Sequence, residues 1–162
     1  TDKETGVMEK VEAHRRALLH RAISVFIFNT KGEWLLQRRA LDKYHSGGLW
    51  TNTCCSHPYP GETNLDASNR RLAEEMGMEA RLKKLFSFIY KEKLDHDLTE
   101  HELDHVFYGI SDEVPKINTG EVMDWKYVNY FNLYRDIQSN PENYTVWFRK
   151  IVERVHQYVS KI

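Results

Sequence analysis

The sequence predicts a layered α/β domain of the α+β kind, a mixed β-sheet packed between helices, and three observations carry that reading. β-Branched and aromatic residues recur in short runs bounded by Gly, Pro and Asn, as strands require. A capped segment of helical periodicity interrupts those runs at residues 64–76, and an amphipathic stripe closes the chain at residues 144–162. The 162 residues contain no repeat, low-complexity tract or Gly/Ser/Pro linker, so the chain reads as a single domain spanning 1–162.

Residues 22–29 (AISVFIFN) alternate loosely and lead through a Thr30-Lys31-Gly32 turn into a second strand at 34–38, which together predict a hairpin. A strand is expected at 49–55, preceded by Gly47-Gly48 and ended by Pro58-Tyr59-Pro60-Gly61, so that Cys54 and Cys55 fall at a strand end. In the helix at 64–76, Leu65, Leu72 and Met76 share a face, Thr63 or Asn64 caps the start and Gly77 supplies the stop. Arg71 and Glu75 share one face of it. Further strands are expected at 82–90, 101–110 and 125–128, with a short helix at 131–137. The final helix places Phe148, Ile151, Val152, Val155 and Val159 on one stripe.

A hydrophobic fraction of 41% excludes a disordered chain, and apolar runs such as 25–28 are far too short to cross a bilayer. With 23 basic against 24 acidic residues there is no global field to draw the protein onto nucleic acid or an anionic membrane. An anionic ligand must therefore be held by local charges. The segment starting Thr1-Asp2-Lys3-Glu4 has neither a signal-peptide core nor an Arg-rich transit pattern, so a cytoplasmic location is expected. The two cysteines are adjacent, a strained geometry for a disulfide, and read as free thiols in a reducing compartment.

His14 and His20 precede the first strand and His57 follows Cys55 by two positions; each alone reads equally well as a surface or hydrogen-bonded core residue. Glu100 and Glu102 point to one side of a strand, with His101 opposite. Such a pair is either a solvated edge or a site whose repulsion is relieved by a shared divalent cation or a retained proton. Residues 50–58 (WTNTCCSHP) are polar and thiol-rich where a core strand would be apolar, which suggests chemistry, although both cysteines can pack as small hydrophobes.

Read with its leader, the helix carries Glu62 and, after seven intervening residues, Arg70-Arg71-Leu72-Ala73-Glu74-Glu75-Met76-Gly77-Met78, which resembles a Nudix box. Two positions depart from that pattern: Ser56 replaces the opening glycine, and Arg71 replaces the first glutamate of the usual Arg-Glu pair. A guanidinium there weakens a water-activating carboxylate cluster and is suited to gripping a phosphate, so a pyrophosphohydrolase becomes the lesser reading. A non-catalytic metal- or nucleotide-binding module is a third.

Together with Asn52-Thr53-Cys54-Cys55-Ser56-His57-Pro58, Leu19-His20-Arg21-Ala22 and Glu100-His101-Glu102, nearly the whole chain resembles the type I isopentenyl diphosphate isomerases. The resemblance implies a Nudix-like fold and conversion of isopentenyl to dimethylallyl diphosphate through a tertiary carbocation. It implies one divalent ion, Zn2+, Mn2+ or Mg2+, on His14, His20, His57, Glu100 and Glu102, with room for a sixth ligand, and a second Mg2+ bound with the diphosphate through Glu75. Cys55 and Glu102 would work on opposite faces of the substrate: Glu102, assisted by Tyr90, would deliver a proton and Cys55, with some thiolate character, would remove one. Lys10, Arg39, Lys43 and Arg71 would grip phosphate, and Trp147 would face the cation. The small-molecule substrate is the only partner expected, the chain being a monomer or weak homodimer, with its N-terminal segment and final helix closing over the ligand.

Overall fold

A computed structural model describes residues 2–161; Thr1 and Ile162, the ends of the expected domain, lie outside the described residues. The chain begins with a short helix, α1 (Lys10–Arg15), then runs through β1 (His20–Phe28), β2 (Trp34–Arg39), β3 (Trp50–Thr51), β4 (Cys54–Ser56) and α2 (Asn64–Met76). It continues with β5 (Lys83–Lys93), β6 (Thr99–Ile110), β7 (Val122–Val128), α3 (Tyr130–Ser139), a 3-10 turn at Pro141–Asn143 and α4 (Val146–Val159). One mixed sheet has the order β3-β2-β1-β6-β5, with β4 added to β1 and β7 to β2.

Strand β1 pairs in parallel with β6 over nine registers, from His20↔Glu102 to Phe28↔Ile110. Period two then sorts the side chains. Ile23, Val25 and Ile27 meet Ala67, Leu72 and Met76 of α2 on one face of the sheet, while Phe26, Phe28, Val106 and Tyr108 meet α3 and α4 on the other. The expected stripe on the last helix is observed, since Phe148, Ile151, Val152 and Val155 are all buried. On the α4 face, β6 reads Glu100, Glu102, Asp104 and then Val106, Tyr108, so its first half presents carboxylates and its second half core.

The hairpin is present but opens quickly: β1 and β2 pair only at Ile27↔Leu35 and Phe28↔Trp34 before they diverge. The expected strand at 49–55 is correspondingly two strands, because the chain changes partner partway. Trp50–Thr51 pairs with β2, whereas Cys54–Ser56 pairs with β1. Asn52 and Thr53 span the fork. The Thr53 hydroxyl accepts from the Ile27 amide at 2.8 Å and donates to the Leu35 carbonyl at 2.7 Å, while Asn52 Nδ2 donates to the carbonyls of Val25 and Cys54 at 3.2 and 2.7 Å. Backbone groups orphaned by strand divergence thus find side-chain partners.

Several boundaries differ from the sequence expectation. β6 begins at Thr99 rather than 101, so both Glu100 and Glu102 lie within the strand. β1 begins at His20, where it already pairs with Glu102. β7 starts at Val122, which is buried in the α2-side core, and α1 was not expected at all. The α2 caps agree: the Thr63 hydroxyl accepts from the Asp66 amide, and Gly77 adopts φ 59°. A Cβ at Gly77 would lie 2.4 Å from the Lys116 carbonyl oxygen, so the glycine is demanded by packing as well as by conformation. No helix is long and apolar enough to cross a membrane among the described residues.

Candidate active site

The parallel register sets His20 beside Glu102, and the β5–β6 register sets Tyr90 beside Glu102 from the opposite strand. His57 reaches the same point from the residues following β4, and α1 delivers His14. One ligand atom each from His14, His20, His57 and Glu102 lies within 4.8 Å of the others. Toward Glu102 Oε1, Nε2 of His57 stands at 2.9 Å, of His20 at 3.5 Å and of His14 at 3.8 Å. Nδ1 of His14 engages the Lys10 carbonyl and Nδ1 of His20 the Leu18 carbonyl, both at 2.7 Å. These bonds leave each Nε2 buried without a hydrogen-bond partner. Carbonyl-anchored imidazoles with free inward lone pairs are the arrangement that a metal ion requires.

Protonation states divide the imidazoles: although burial opposes it, the hydrogen bond and charge of Glu102 raise His20, whereas the other two are lowered. Burial pulls His57 down to about 4 against the opposing pull of Glu102, and it lowers His14 as well, so both rings are neutral at neutral pH. Burial and the adjacent Glu102 charge drive Glu100 well above the usual carboxylate range. Glu102 is itself buried, yet hydrogen bonds from His20 and His57 hold it below that range. The Tyr90 hydroxyl lies between the two carboxylates, 2.7 Å from Glu100 and 2.8 Å from Glu102. Of the five expected ligands, four therefore converge; Glu100 belongs to an adjoining trio with His14 and His45.

A cleft opens beside this cluster, lined by Cys55, Tyr90, Glu100, Glu102 and Trp147. Its other wall carries Lys10, Arg39, Lys43 and Arg71. Burial, followed by the charge of Lys43, brings the Lys10 amine down to about 8, with Arg39 and Arg71 contributing in the same sense. Nε of Arg39 and of Arg71 is buried without a partner. Four cations gathered at one wall, two with unspent donors, form a site for a multiply charged anion. Arg71 is meanwhile held by Glu74 at 2.7 Å and by Glu75, and Lys43 pairs with Glu121.

Alternation along β4 separates the cysteines. Cys54 is fully buried in the α2-side core, while Cys55 lines the cleft. Burial pushes the Cys55 thiol up to about 12 despite Arg39, so it rests protonated rather than with the thiolate character expected. Trp147 is both core and cleft wall: one side of the indole carries the Arg39 guanidinium, 5.3 Å from the ring centroid. The box residues Glu62 and Arg70 do not reach the cleft; they form a bidentate pair at 2.7 and 2.8 Å that ties the preceding loop to α2. Glu75 is buried and accepts from Gln37 at 2.7 Å.

Sequence reasoning missed Tyr44, His45, Gln37 and the Ser24–Asp104 pair. Asp104 continues the phase of Glu100 and Glu102, which was the available signal; it accepts from the Ser24 hydroxyl at 2.7 Å, and burial together with Glu102 raises it to about 8. Tyr44 and His45 sit in a loop without periodicity, where nothing local distinguished them from surface.

Comparison with known proteins agrees with the geometry. The NUDIX domain family matches residues 18–154. Isopentenyl-diphosphate delta-isomerase of Pectobacterium atrosepticum is 51% identical over 157 residues, covering 97% of this chain and 88% of that protein. Isopentenyl-diphosphate delta-isomerase 2 of Aromatoleum aromaticum is 51% identical over 154 residues, covering 95% and 82%. Among solved structures, the MutT protein from Methanosarcina mazei superposes with a TM-score of 0.71 at 20% identity, covering 86% of this chain and 94% of that one, which establishes the fold. Fold, box and near full-length identity lead to one assignment: the chain belongs to the isopentenyl-diphosphate delta-isomerase family, within the NUDIX domain proteins.

Proposed function

We propose that the protein catalyses divalent-metal-dependent isomerisation of isopentenyl diphosphate to dimethylallyl diphosphate, with Cys55 and Glu102 as the proton-transfer pair. The observation that carries this reading is the meeting, in one cleft, of a half-buried thiol, a buried carboxylate pair and a wall of four cations. Lys10, Arg39, Lys43 and Arg71 bind the diphosphate and leave the hydrocarbon tail toward Trp147. One of the pair adds a proton to the terminal carbon, leaving the charge on the tertiary carbon; the other removes a proton from the carbon nearer the diphosphate. Composition is unchanged, and the roles exchange in the reverse direction. Tyr90, bonded to Glu100 and Glu102, orients the carboxylate and relays its proton. The indole of Trp147 and the enclosing walls keep water from the cation.

His14, His20, His57, Glu100 and Glu102 would hold one divalent cation, and Glu75 a Mg2+ shared with the diphosphate; when bound, they supply positive charge that fixes the Glu102 carboxylate and offsets the phosphates. Arg71, standing where a hydrolase of this fold carries a carboxylate, occupies Glu74 and Glu75 and disfavours water activation. Incubating the protein with Mg2+ and isopentenyl diphosphate in deuterated water tests the reading. Deuterium is expected in a dimethylallyl product; inorganic phosphate without labelled product would replace the isomerase reading with the hydrolase one.

A further inference from the structure

The loop between β2 and β3 sets a fourth imidazole against the cluster. His45 is only 3% exposed, and its Nε2 stands 3.8 Å from Oε1 of Glu100. One ligand atom each from His14, His45 and Glu100 lies within 4.8 Å of the others, so this trio shares His14 with the His14, His20, His57, Glu102 group. The ring is anchored as its neighbours are. Nδ1 engages the Ser46 hydroxyl at 3.1 Å, much as Nδ1 of His14 and of His20 engages a nearby carbonyl, and Nε2 turns inward. Arg39 donates to the His45 carbonyl at 3.0 Å, and Trp147 meets the ring in a T-shaped contact at 5.6 Å between centroids. These contacts fix the ring's direction, and that direction is toward the carboxylate. A gap of 3.8 Å is too long for a hydrogen bond. It matches the span of two donors each about 2.1 Å from a common ion at a wide angle.

We propose that His45 is a further metal ligand, coordinating through Nε2 on the side of Glu100 and closing the shell formed with His14, His20, His57, Glu100 and Glu102. The inference rests on the reading of that cluster as a cation site and goes beyond its expected ligand set. Two chemical consequences follow. A shell with four imidazoles favours Zn2+ or Co2+ over Mg2+, which prefers oxygen donors. A shell closed by protein also leaves no position for a reactive water, so its cation acts through charge.

Cobalt substitution tests it without relying on turnover. Each imidazole bound to Co2+ contributes one strongly shifted, solvent-exchangeable N–H proton resonance, so the chelator-stripped protein reloaded with Co2+ is expected to show four, and His45→Gln three. Zn2+ affinity, measured by competition with a chromophoric chelator, should fall about tenfold or more in His45→Gln. Ser46→Gly, which removes the Nδ1 anchor at a left-handed position (φ 52°) where glycine is at ease, should weaken Zn2+ in the same direction by less. Three resonances in the unaltered protein, or a folded His45→Gln with unchanged Zn2+ affinity, would overturn the assignment of His45 alone. Failure of the unaltered protein to take up Co2+ or Zn2+ would remove the cation site itself.

Discussion

Cys54 and Cys55 are neighbours in sequence and opposites in role, because alternation turns one into the α2-side core and the other into the cleft. Cys55→Ala should lower kcat by about 10²- to 10⁴-fold with little change in KM, read from steady-state label incorporation. Cys54→Ser should retain kcat yet lose about 1–3 kcal/mol of stability in urea denaturation, since a hydroxyl would be buried among apolar side chains. That the two cysteines face opposite ways follows from their place on a strand, but the choice of Cys55 came only from the resemblance to a known family. The polar run around them suggests chemistry as much as ordinary packing, and in the structure only Cys55, Ser56 and His57 of it line the cleft. Asn52 and Thr53 serve the backbone instead, for a reason no local pattern carries: it depends on which strand each half of the segment pairs with.

At the scale of elements, β6 was legible in part: Glu100 and Glu102 stood out by their spacing, whereas Asp104, which continues their phase, did not. Its even positions pass from carboxylates to Val106 and Tyr108, so one strand announces both where the cleft lies and where the core begins. α1 was not legible, since six residues give too little periodicity to register. The divided β3–β4 segment depends on the Thr53 hydroxyl, which bonds both diverging strands. Thr53→Val keeps the shape and removes both bonds, leaving a buried amide and carbonyl unpaired; a loss of about 2–4 kcal/mol in unfolding free energy, measured by denaturant titration, is expected. The loop ahead of α2 is tied down by Glu62 and Arg70, whose guanidinium holds the Glu62 carboxyl below the usual carboxylate range. A depressed carboxylate contributes stability that is present at neutral pH and lost as pH falls through its folded value. The difference in thermal stability between the parent and Glu62→Gln should therefore be about 1 kcal/mol at neutral pH and shrink toward zero in strong acid.

Over the whole molecule, the sequence conveyed the layers, the helix caps and the convergence of four of the five expected His and Glu residues, because these follow from periodicity and from residues that resemble a known pattern. It could not convey that Glu100 would turn toward His45, since that depends on how a loop without periodicity folds back beneath α4. One further relation emerges only at this scale. A helix as short as α1 is marginal by itself, yet it carries Lys10 to the cationic wall of the cleft and His14 to the His/Glu cluster, and the Lys10 carbonyl is the anchor for the His14 ring. Under the proposed function, ordering that single turn would serve both ligands, so whichever arrives first would spare the other the entropy of arranging it. Thermodynamic reciprocity then requires a symmetrical favour: inorganic pyrophosphate should raise the equilibrium affinity for Zn2+, measured by chelator competition, and Zn2+ should tighten pyrophosphate by the same factor. Measured in both directions, equal factors above one would mark α1 as the place where the enzyme senses that it is fully loaded.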